Sequence, residues 1–169
     1  KGRFLLAESL RRPETNFLGI EYSLKWLRVA LYRLAKNPRP NCKLFCFDAD
    51  FVVKLLIPPR SVNAYHVYFP DPWPKDRHKK RRLFNPRFLE KMAETLVPQG
   101  KLYLKTDHEE YFMDTHPAIE NSNLFDTIEK SSHETTLSEF QEAEETATHY
   151  EIKWAMENRT IYTTTYQVK

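Results

Sequence analysis

Four short apolar segments of this chain run into a carboxylate, and helix-like segments separate them. The four acids are Glu21, Asp48, Asp71 and Asp107. Alternating strand and helix signals are typical of an α/β fold with a largely parallel sheet. Ligands of such sheets bind at the carboxyl ends of the strands. The pattern therefore predicts a polar crevice that can hold hydroxyl, amine and sulfonium groups.

Hydrophobic periodicity and end signals predict five helices and six strands. The predicted strands are 16–22, 43–49, 64–69, 98–107, 124–130 and 159–168, and the predicted helices are 3–10, 23–36, 50–57, 85–97 and 108–119. The acidic stretch 137–151 is helix-prone in its first half. No clear helix signal directly precedes the last of the two late strands, which indicates that the last strand is antiparallel.

Composition excludes several classes of protein. A chain of 169 residues suits one domain with its own core. It contains no apolar run of membrane-spanning length. Cys42 and Cys46 lie in a strand-like run and are too few for a disulfide scaffold, so we predict reduced thiols in a cytoplasmic protein. The six histidines are scattered, and no metal site is expected.

The segment "FPDPWPKDRHKKRR" (69–82) holds one acid between prolines. A proline restricts the residue before it to extended conformations, which predicts extended backbone at Phe69, Asp71 and Trp73. A stiff loop loses little entropy when it binds a ligand. Asp71 is therefore predicted to be held in place at the end of its strand.

A dense block of positive charge follows this acid. Six of the eight residues 75–82 are Lys or Arg, and His78 is a seventh possible cation. Most charge runs are solvated faces, but a run beside a rigid acid at a strand end favours a nucleic-acid phosphate contact. Trp73 has two open interpretations, since its ring could stack on a base or pack beneath the loop.

The first residues of the chain contain another pattern that indicates a cofactor site. Glu21 lies 19 residues after Gly2, close to the spacing at which dinucleotide-type folds place an acid for ribose hydroxyls. Only "KGRF" of a glycine-rich loop is present, and the chain has three glycines. The sequence therefore predicts a chain that begins inside this loop, with the first strand missing.

These segments resemble the bacterial tRNA (guanine-N7-)-methyltransferases, which use S-adenosylmethionine. The resemblance covers essentially the whole chain, and "FPDPWPKDRHKKRRL" is its most specific part. The matching segments are residues 69–83, "GIEYS" (19–23), "FDA" (47–49), "LKTDHEEY" (104–111), "THYE" (148–151) and "RTIY" (159–162). The resemblance implies a class I methyltransferase fold, Rossmann-like, with helices on both faces of a mostly parallel seven-stranded sheet and an antiparallel last strand. It also implies a single domain, residues 1–169, truncated at its N-terminus.

The resemblance also implies a function, methyl transfer to N7 of a guanosine in the variable loop of tRNA. The implied site residues are Gly2, Glu21, Asp48 and Asp71 for the cofactor, Asp71 for catalysis, Lys75, Asp107, Thr148 and Glu151 for the substrate, and Arg77, His78, Lys79, Lys80, Arg81 and Arg82 for RNA. The expected partner is tRNA, with no membrane, and the protein is expected to be a monomer or homodimer. Glu151 has a structural alternative, in which it caps a turn or pairs with Lys153.

The chemistry needs no general base, because guanine N7 already carries a free lone pair. We therefore expect Asp71 to orient the guanine and balance its developing charge. Two other functions remain open. The loop around Asp71 also resembles those of exocyclic-amine methyltransferases, and the short glycine loop is compatible with a catalytically inactive RNA-binding module.

Overall fold

The computed structural model describes residues 1–134 and 147–169, which fall into two compact units. Unit 1 comprises Lys1–Phe51 with Thr135–Asn158, and unit 2 comprises Val52–Glu134 with Arg159–Lys169. The helices are α1 (Arg3–Arg11), α2 (Leu24–Lys36), α3 (Ala49–Leu55), α4 (Pro86–Thr95), α5 (Glu109–Asn121) and α6 (His149–Met156), with a 3₁₀ helix at Asp76–Arg81. The strands are β1 (Phe17–Ile20), β2 (Cys42–Phe45), β3 (Val62–Tyr68), β4 (Leu96–Thr106), β5 (Phe125–Glu134) and β6 (Thr160–Val168).

Unit 1 is built on the parallel pair β1 and β2, whose register runs from Phe17 opposite Cys42 to Ile20 opposite Phe45. A buried amide fixes the turn into this pair. Asn41 donates to the carbonyl oxygens of Ser9, Arg12 and Thr15 at 3.0, 3.1 and 2.8 Å. One side chain thereby ties the end of α1 to the start of β1 and satisfies three backbone acceptors.

Helix α2 is amphipathic and packs on β2 through one face. Leu27 and Ala30 are buried on that face, with 7% and 3% exposure. Four cations occupy other positions of the helix, which contains no acidic residue. The helix ends at Asn37, because Pro38 cannot continue it.

Unit 2 contains a four-stranded sheet in the order β3-β4-β6-β5. β3 pairs parallel with β4, whereas β6 is antiparallel to both β4 and β5. The three other strands therefore run in one direction, and the carboxyl ends of β3 and β4 lie side by side. Helix α4 begins as the sequence predicts, with the Asn85 side chain accepting from the Phe88 N–H at 3.0 Å and Pro86 at the first helical position.

The core of unit 2 lies between this sheet and helices α4 and α5. Its fully buried side chains include Met92, Leu102, Leu104, Tyr111 and Ile119. Truncating one of these aliphatic groups to alanine typically costs about 2 to 5 kcal/mol. This packing holds β4 and α5 in fixed positions and therefore also fixes where their exposed residues lie.

The predicted α/β class with an antiparallel last strand is confirmed. The described residues form six strands, in a two-stranded and a four-stranded sheet, against the seven strands that the resemblance implied. Cys42 and Cys46 are both free thiols, as predicted. No helix of the described residues is long and apolar enough to cross a bilayer. The helix-prone first half of 137–151 falls largely outside the described residues, and the single-domain expectation for 1–169 stays a prediction.

Candidate functional site

Two of the predicted acids follow adjacent parallel strands of unit 2. Asp107 comes directly after β4, and Asp71 lies three residues beyond β3. The Phe69 N–H donates to the Lys105 carbonyl at 2.7 Å, which extends the β3–β4 pairing to the point where the chain leaves the sheet. The Asp107 carboxylate is 22% exposed and accepts from Arg159 at 3.3 Å. Both acids are thus delivered to the same end of neighbouring strands, as the sequence predicted.

The motif loop, residues 69–75, has a backbone that sequence reasoning predicted wrongly. Phe69 and Trp73 adopt φ values of 54° and 43°, whereas the following prolines predicted extended conformations. Phe69 follows the last residue of β3 and still donates to Lys105 of β4, so the chain must turn sharply at this residue to leave the sheet. Left-handed backbone at bulky residues costs roughly 1 to 3 kcal/mol each and persists only where the surroundings enforce it.

Arg82 helps to hold the motif loop in this left-handed conformation. Its side chain is only 10% exposed, and Nε donates to the Pro72 carbonyl at 2.8 Å. Nη1 donates to Asp114 on α5 at 2.5 Å, and the guanidinium lies 5.2 Å from the centre of the Tyr111 ring. One planar fork therefore ties the motif loop to α5, a contact that a lysine could not reproduce.

The cations predicted to bind RNA divide into two groups. Lys79 contacts three carboxylates, and Arg82 shares two of them. Hydrogen bonding to Lys79 lowers the pKa of Glu110, and hydrogen bonding to Arg82 lowers that of Asp114. Arg77, Lys80 and Arg81 are exposed instead. The exposed group is therefore the part of the segment whose side chains face solvent.

Trp73 packs within the motif loop. Its ring lies 5.1 Å from the Arg81 guanidinium and meets the His78 ring edge-on at 5.8 Å. The ring is half-buried rather than covered. Of the two interpretations left open by the sequence, packing against the loop is the arrangement observed, and the ring is partly exposed.

Tyr111 lies at the base of this loop and was not singled out by sequence reasoning. Its side chain is fully buried, and its hydroxyl makes no hydrogen bond within the described residues, although Thr115 is close enough to lower its pKa. Burial raises the pKa of Tyr111 to about 12, and the negative charge of Asp71 adds to the effect. Asp71 itself is exposed, and its charge nevertheless raises the pKa of the buried Tyr111 hydroxyl.

In unit 1 the predicted cofactor residues Gly2 and Glu21 lie close together. Gly2 has φ 74° and is the N-cap residue of α1, so the turn before the helix is left-handed. A Cβ at Gly2 would lie 2.7 Å from the Ala30 Cβ, which explains why glycine is required here. Burial lowers the pKa of the amino group of Lys1, and the negative charge of Glu21 acts to raise it, which places Glu21 near this turn.

The other predicted residues of unit 1 have structural partners. Asp48 caps α3, accepting from the Asp50 and Phe51 N–H groups at 2.8 and 3.4 Å. Thr148 and Glu151 form a capping box at the start of α6. The Glu151 carboxylate accepts from Thr148 N–H at 2.7 Å, and the Thr148 hydroxyl accepts from Glu151 N–H at 3.1 Å. The capping alternative for Glu151 is confirmed, whereas Lys153 pairs with Glu157 at 3.8 Å.

Comparison with known proteins agrees with the motifs. A family described as "Putative methyltransferase" matches residues 1–164. A protein of Rubrobacter xylanophilus named tRNA (guanine-N(7)-)-methyltransferase is 34% identical over 161 residues, 95% of this chain and 70% of that protein. The chain belongs to the tRNA (guanine-N(7)-)-methyltransferase family. A Bordetella pertussis protein of the same name is 44% identical over 103 residues, which span 61% of this chain and 41% of that protein. The match thus covers less than half of the Bordetella relative.

Solved structures give the fold of this family member. The structure of an antibiotic related methyltransferase superposes with a TM-score of 0.71 at 13% identity, covering 99% of this chain and 83% of that one. At this identity the likeness shows the fold alone.

Proposed function

We propose that the protein transfers a methyl group from S-adenosylmethionine to N7 of a guanosine in the variable loop of tRNA. The observation that carries this proposal is the strained motif loop, which holds Asp71 beyond β3 with exposed cations following it. Family membership supports the reaction, and the loop supplies the chemistry for it. We further propose that the protein works in the cytoplasm, as a monomer or homodimer.

Gly2, Glu21 and Asp48 would hold the methyl donor, together with Asp71. S-adenosylmethionine supplies an electrophilic methyl group bound to a sulfonium sulfur. The left-handed turn at Gly2 and the Glu21 carboxylate would contact its polar groups. Glu21 also accepts from the Ser23 N–H at 2.8 Å, which fixes the direction of the carboxylate before a ligand arrives.

Asp71 would orient the guanine and balance the positive charge that moves onto the purine. Guanine N7 needs no deprotonation, so the protein's contribution is alignment and electrostatics. A carboxylate can accept from the N–H groups on the opposite edge of the base. The left-handed turns at Phe69 and Trp73 on either side of Asp71 would keep that carboxylate from relaxing out of position.

The exposed cations of the 3₁₀ helix would bind phosphates. Arg77, Lys80 and Arg81 are exposed, and each phosphate contact releases counterions. His78 lies beside them against Trp73. Lys75, at the start of that helix, and Asp107, beside Arg159, would contact the substrate. Thr148 and Glu151 would do so from the first turn of α6.

The test is methyl transfer from labelled S-adenosylmethionine to unmodified tRNA, followed by identification of the modified base. We expect 7-methylguanosine, which is recognised by its chemical lability. An exocyclic methylamine would contradict the proposal and favour the alternative methyltransferase class. Absence of both transfer and calorimetric binding of S-adenosylmethionine would favour an inactive RNA-binding module.

Asp71→Asn tests the residue assignment within that experiment. It keeps the size of the side chain and removes the charge, so turnover should fall sharply while much of the tRNA binding remains. Asp126→Asn is the matched control, because Asp126 is a 68% exposed carboxylate on β5 paired only with Lys169 among the described residues. Near-normal turnover of Asp71→Asn would refute the assignment.

A further inference from the structure

The exposed face of α2 carries positive charge that no described carboxylate neutralises. The helix contains four cations, Lys25, Arg28, Arg33 and Lys36, and no acid. Within residues 1–134 and 147–169, none of the four forms an ion pair. Arg33 and Lys36 lie in the last turn, where positive charge favours the helix dipole. Lys25 and Arg28 lie near the start of the helix, where positive charge is unfavourable, so their presence does not serve helix stability.

Three of these cations form a single line with an aromatic ring. Lys25, Arg28, Tyr32 and Lys36 are spaced at i, i+3, i+7 and i+11, which places them on one face of the helix. All four are exposed, and Tyr32 is 62% exposed. The line spans about 16 Å at 1.5 Å per residue. We call these four residues the α2 stripe.

More cations and rings lie beside the stripe within unit 1. The Lys25 ammonium lies 4.8 Å from the centre of the Trp26 ring, and that of Lys36 lies 4.7 Å from the Tyr32 ring. The Lys1 ammonium lies 4.4 Å from Trp26 and 5.8 Å from Tyr150 of α6. Cations interleaved with exposed rings are typical of surfaces that bind a nucleic-acid strand, since the cations contact phosphates and the rings stack on bases.

The pKa of Lys1 supports this clustering. Desolvation lowers the pKa of its side chain, and the positive charges of Arg33, Lys153 and Lys25 lower it further. Arg33 also donates to the Lys1 carbonyl at 2.8 Å. Like charges are therefore gathered in this part of unit 1, and an anionic ligand would relieve their repulsion.

The 3₁₀ helix that the sequence singled out differs in this respect. Lys79 of that helix and Arg82 at its C-cap form ion pairs with acids of α5. The α2 stripe has no such partners in the described parts of the chain. Within residues 1–134 and 147–169 its charge is therefore not neutralised, although its sequence lacks a dense basic run.

We propose that the α2 stripe is a second RNA-binding surface, which contacts the phosphate backbone of the tRNA substrate. This inference rests on the proposed function for the identity of the RNA. It does not depend on methyl transfer, because the surface is defined by its cations and rings. RNA is favoured over an acidic protein because of the rings interleaved with the cations.

The test measures binding of a fluorescently labelled, unmodified tRNA transcript over a series of salt concentrations. The test variant is Lys25→Gln, Arg28→Gln and Lys36→Gln together. The slope of log affinity against log salt should become shallower by about 2 to 3, because each lost phosphate contact removes about 0.7 to 0.9. Methyl transfer should show a raised KM for tRNA with little change in kcat.

Two control variants isolate the stripe. Arg60→Gln, Arg87→Gln and Lys101→Gln together remove the same net charge from unit 2 and should leave the slope near that of the wild type. Lys25→Arg, Arg28→Lys and Lys36→Arg together keep the charge on α2 and should retain tight binding. Thermal unfolding of each variant checks that α2 is intact.

Four outcomes decide the inference. A flattened slope in the test variant alone supports it, whether or not the wild type transfers methyl groups. An unchanged slope overturns it while the proposed function stands. An equal change in the unit 2 control also overturns it, because net charge would then explain the effect. Unchanged tRNA binding with lost binding to phosphatidylserine vesicles overturns it in favour of a membrane surface.

Discussion

Arg82→Lys tests whether Arg82 acts through its charge or through the position that it gives the motif loop. The substitution keeps one positive charge near Glu110 and Asp114 on α5. It removes the fork that reaches the Pro72 carbonyl and Asp114 at the same time. If Arg82 positions the loop, turnover should fall although the charge is preserved.

The magnitude follows from the two hydrogen bonds. A buried hydrogen bond from a charged donor is worth about 1.5 to 3 kcal/mol, and the Pro72 carbonyl accepts such a bond from a side chain that is 10% exposed. The contact with Asp114, whose side chain is 48% exposed, adds only about 0.5 to 1 kcal/mol because solvent screens it. Loss of the Pro72 bond alone should lower the population of the observed loop roughly 10- to 100-fold.

The assay is single-turnover methyl transfer with saturating tRNA, together with tRNA affinity. We expect Arg82→Lys to reduce the transfer rate roughly 10- to 100-fold, in line with about 1.4 kcal/mol per factor of ten. The tRNA affinity should change little. Arg87→Lys, at an exposed position of α4, should leave both quantities unchanged. A wild-type transfer rate in Arg82→Lys would refute the positioning argument.

Two further predictions concern stability. Gly2→Ala should destabilise the protein by about 2 to 4 kcal/mol, because the new Cβ would lie 2.7 Å from the Ala30 Cβ and φ at this position is 74°. Urea unfolding measures this loss, and an unchanged midpoint would contradict the close approach. Burial, and then the charge of Lys130, lower the pKa of His116, so the unfolded chain binds more protons. The free energy of unfolding should therefore fall as the pH drops below about 6.5, and it should fall less steeply in His116→Gln. Identical pH profiles of stability for the two proteins would count against this role of His116.

The element pattern was largely predictable from local sequence. The boundaries of α2 follow from its apolar period and Pro38, and α4 begins where Asn85 and Pro86 predict. Strand ends were placed within a few residues, because buried strands are read from continuous apolar runs. The acids after β3 and β4 were also placed correctly, since parallel neighbours end at one edge.

The motif loop shows where local reasoning fails. Proline statistics predicted extended backbone at Phe69 and Trp73, and the observed φ values are positive. The preference of a residue before proline is worth little against a ladder hydrogen bond at 2.7 Å and a guanidinium that holds the Pro72 carbonyl. Tertiary contacts over 10 and 32 residues of sequence override that preference.

The sequence by itself determined the α/β pattern, the family and the run of acids and cations, because these are encoded in residue types at short spacing. The tertiary structure decided which cations remain available. Lys79 and Arg82 form ion pairs with acids of α5, whereas the cations of the α2 stripe form no ion pair within residues 1–134 and 147–169. A cation that is already paired with a carboxylate attracts a phosphate less strongly, and this pairing depends on which distant segments the fold brings within a few ångströms of each other.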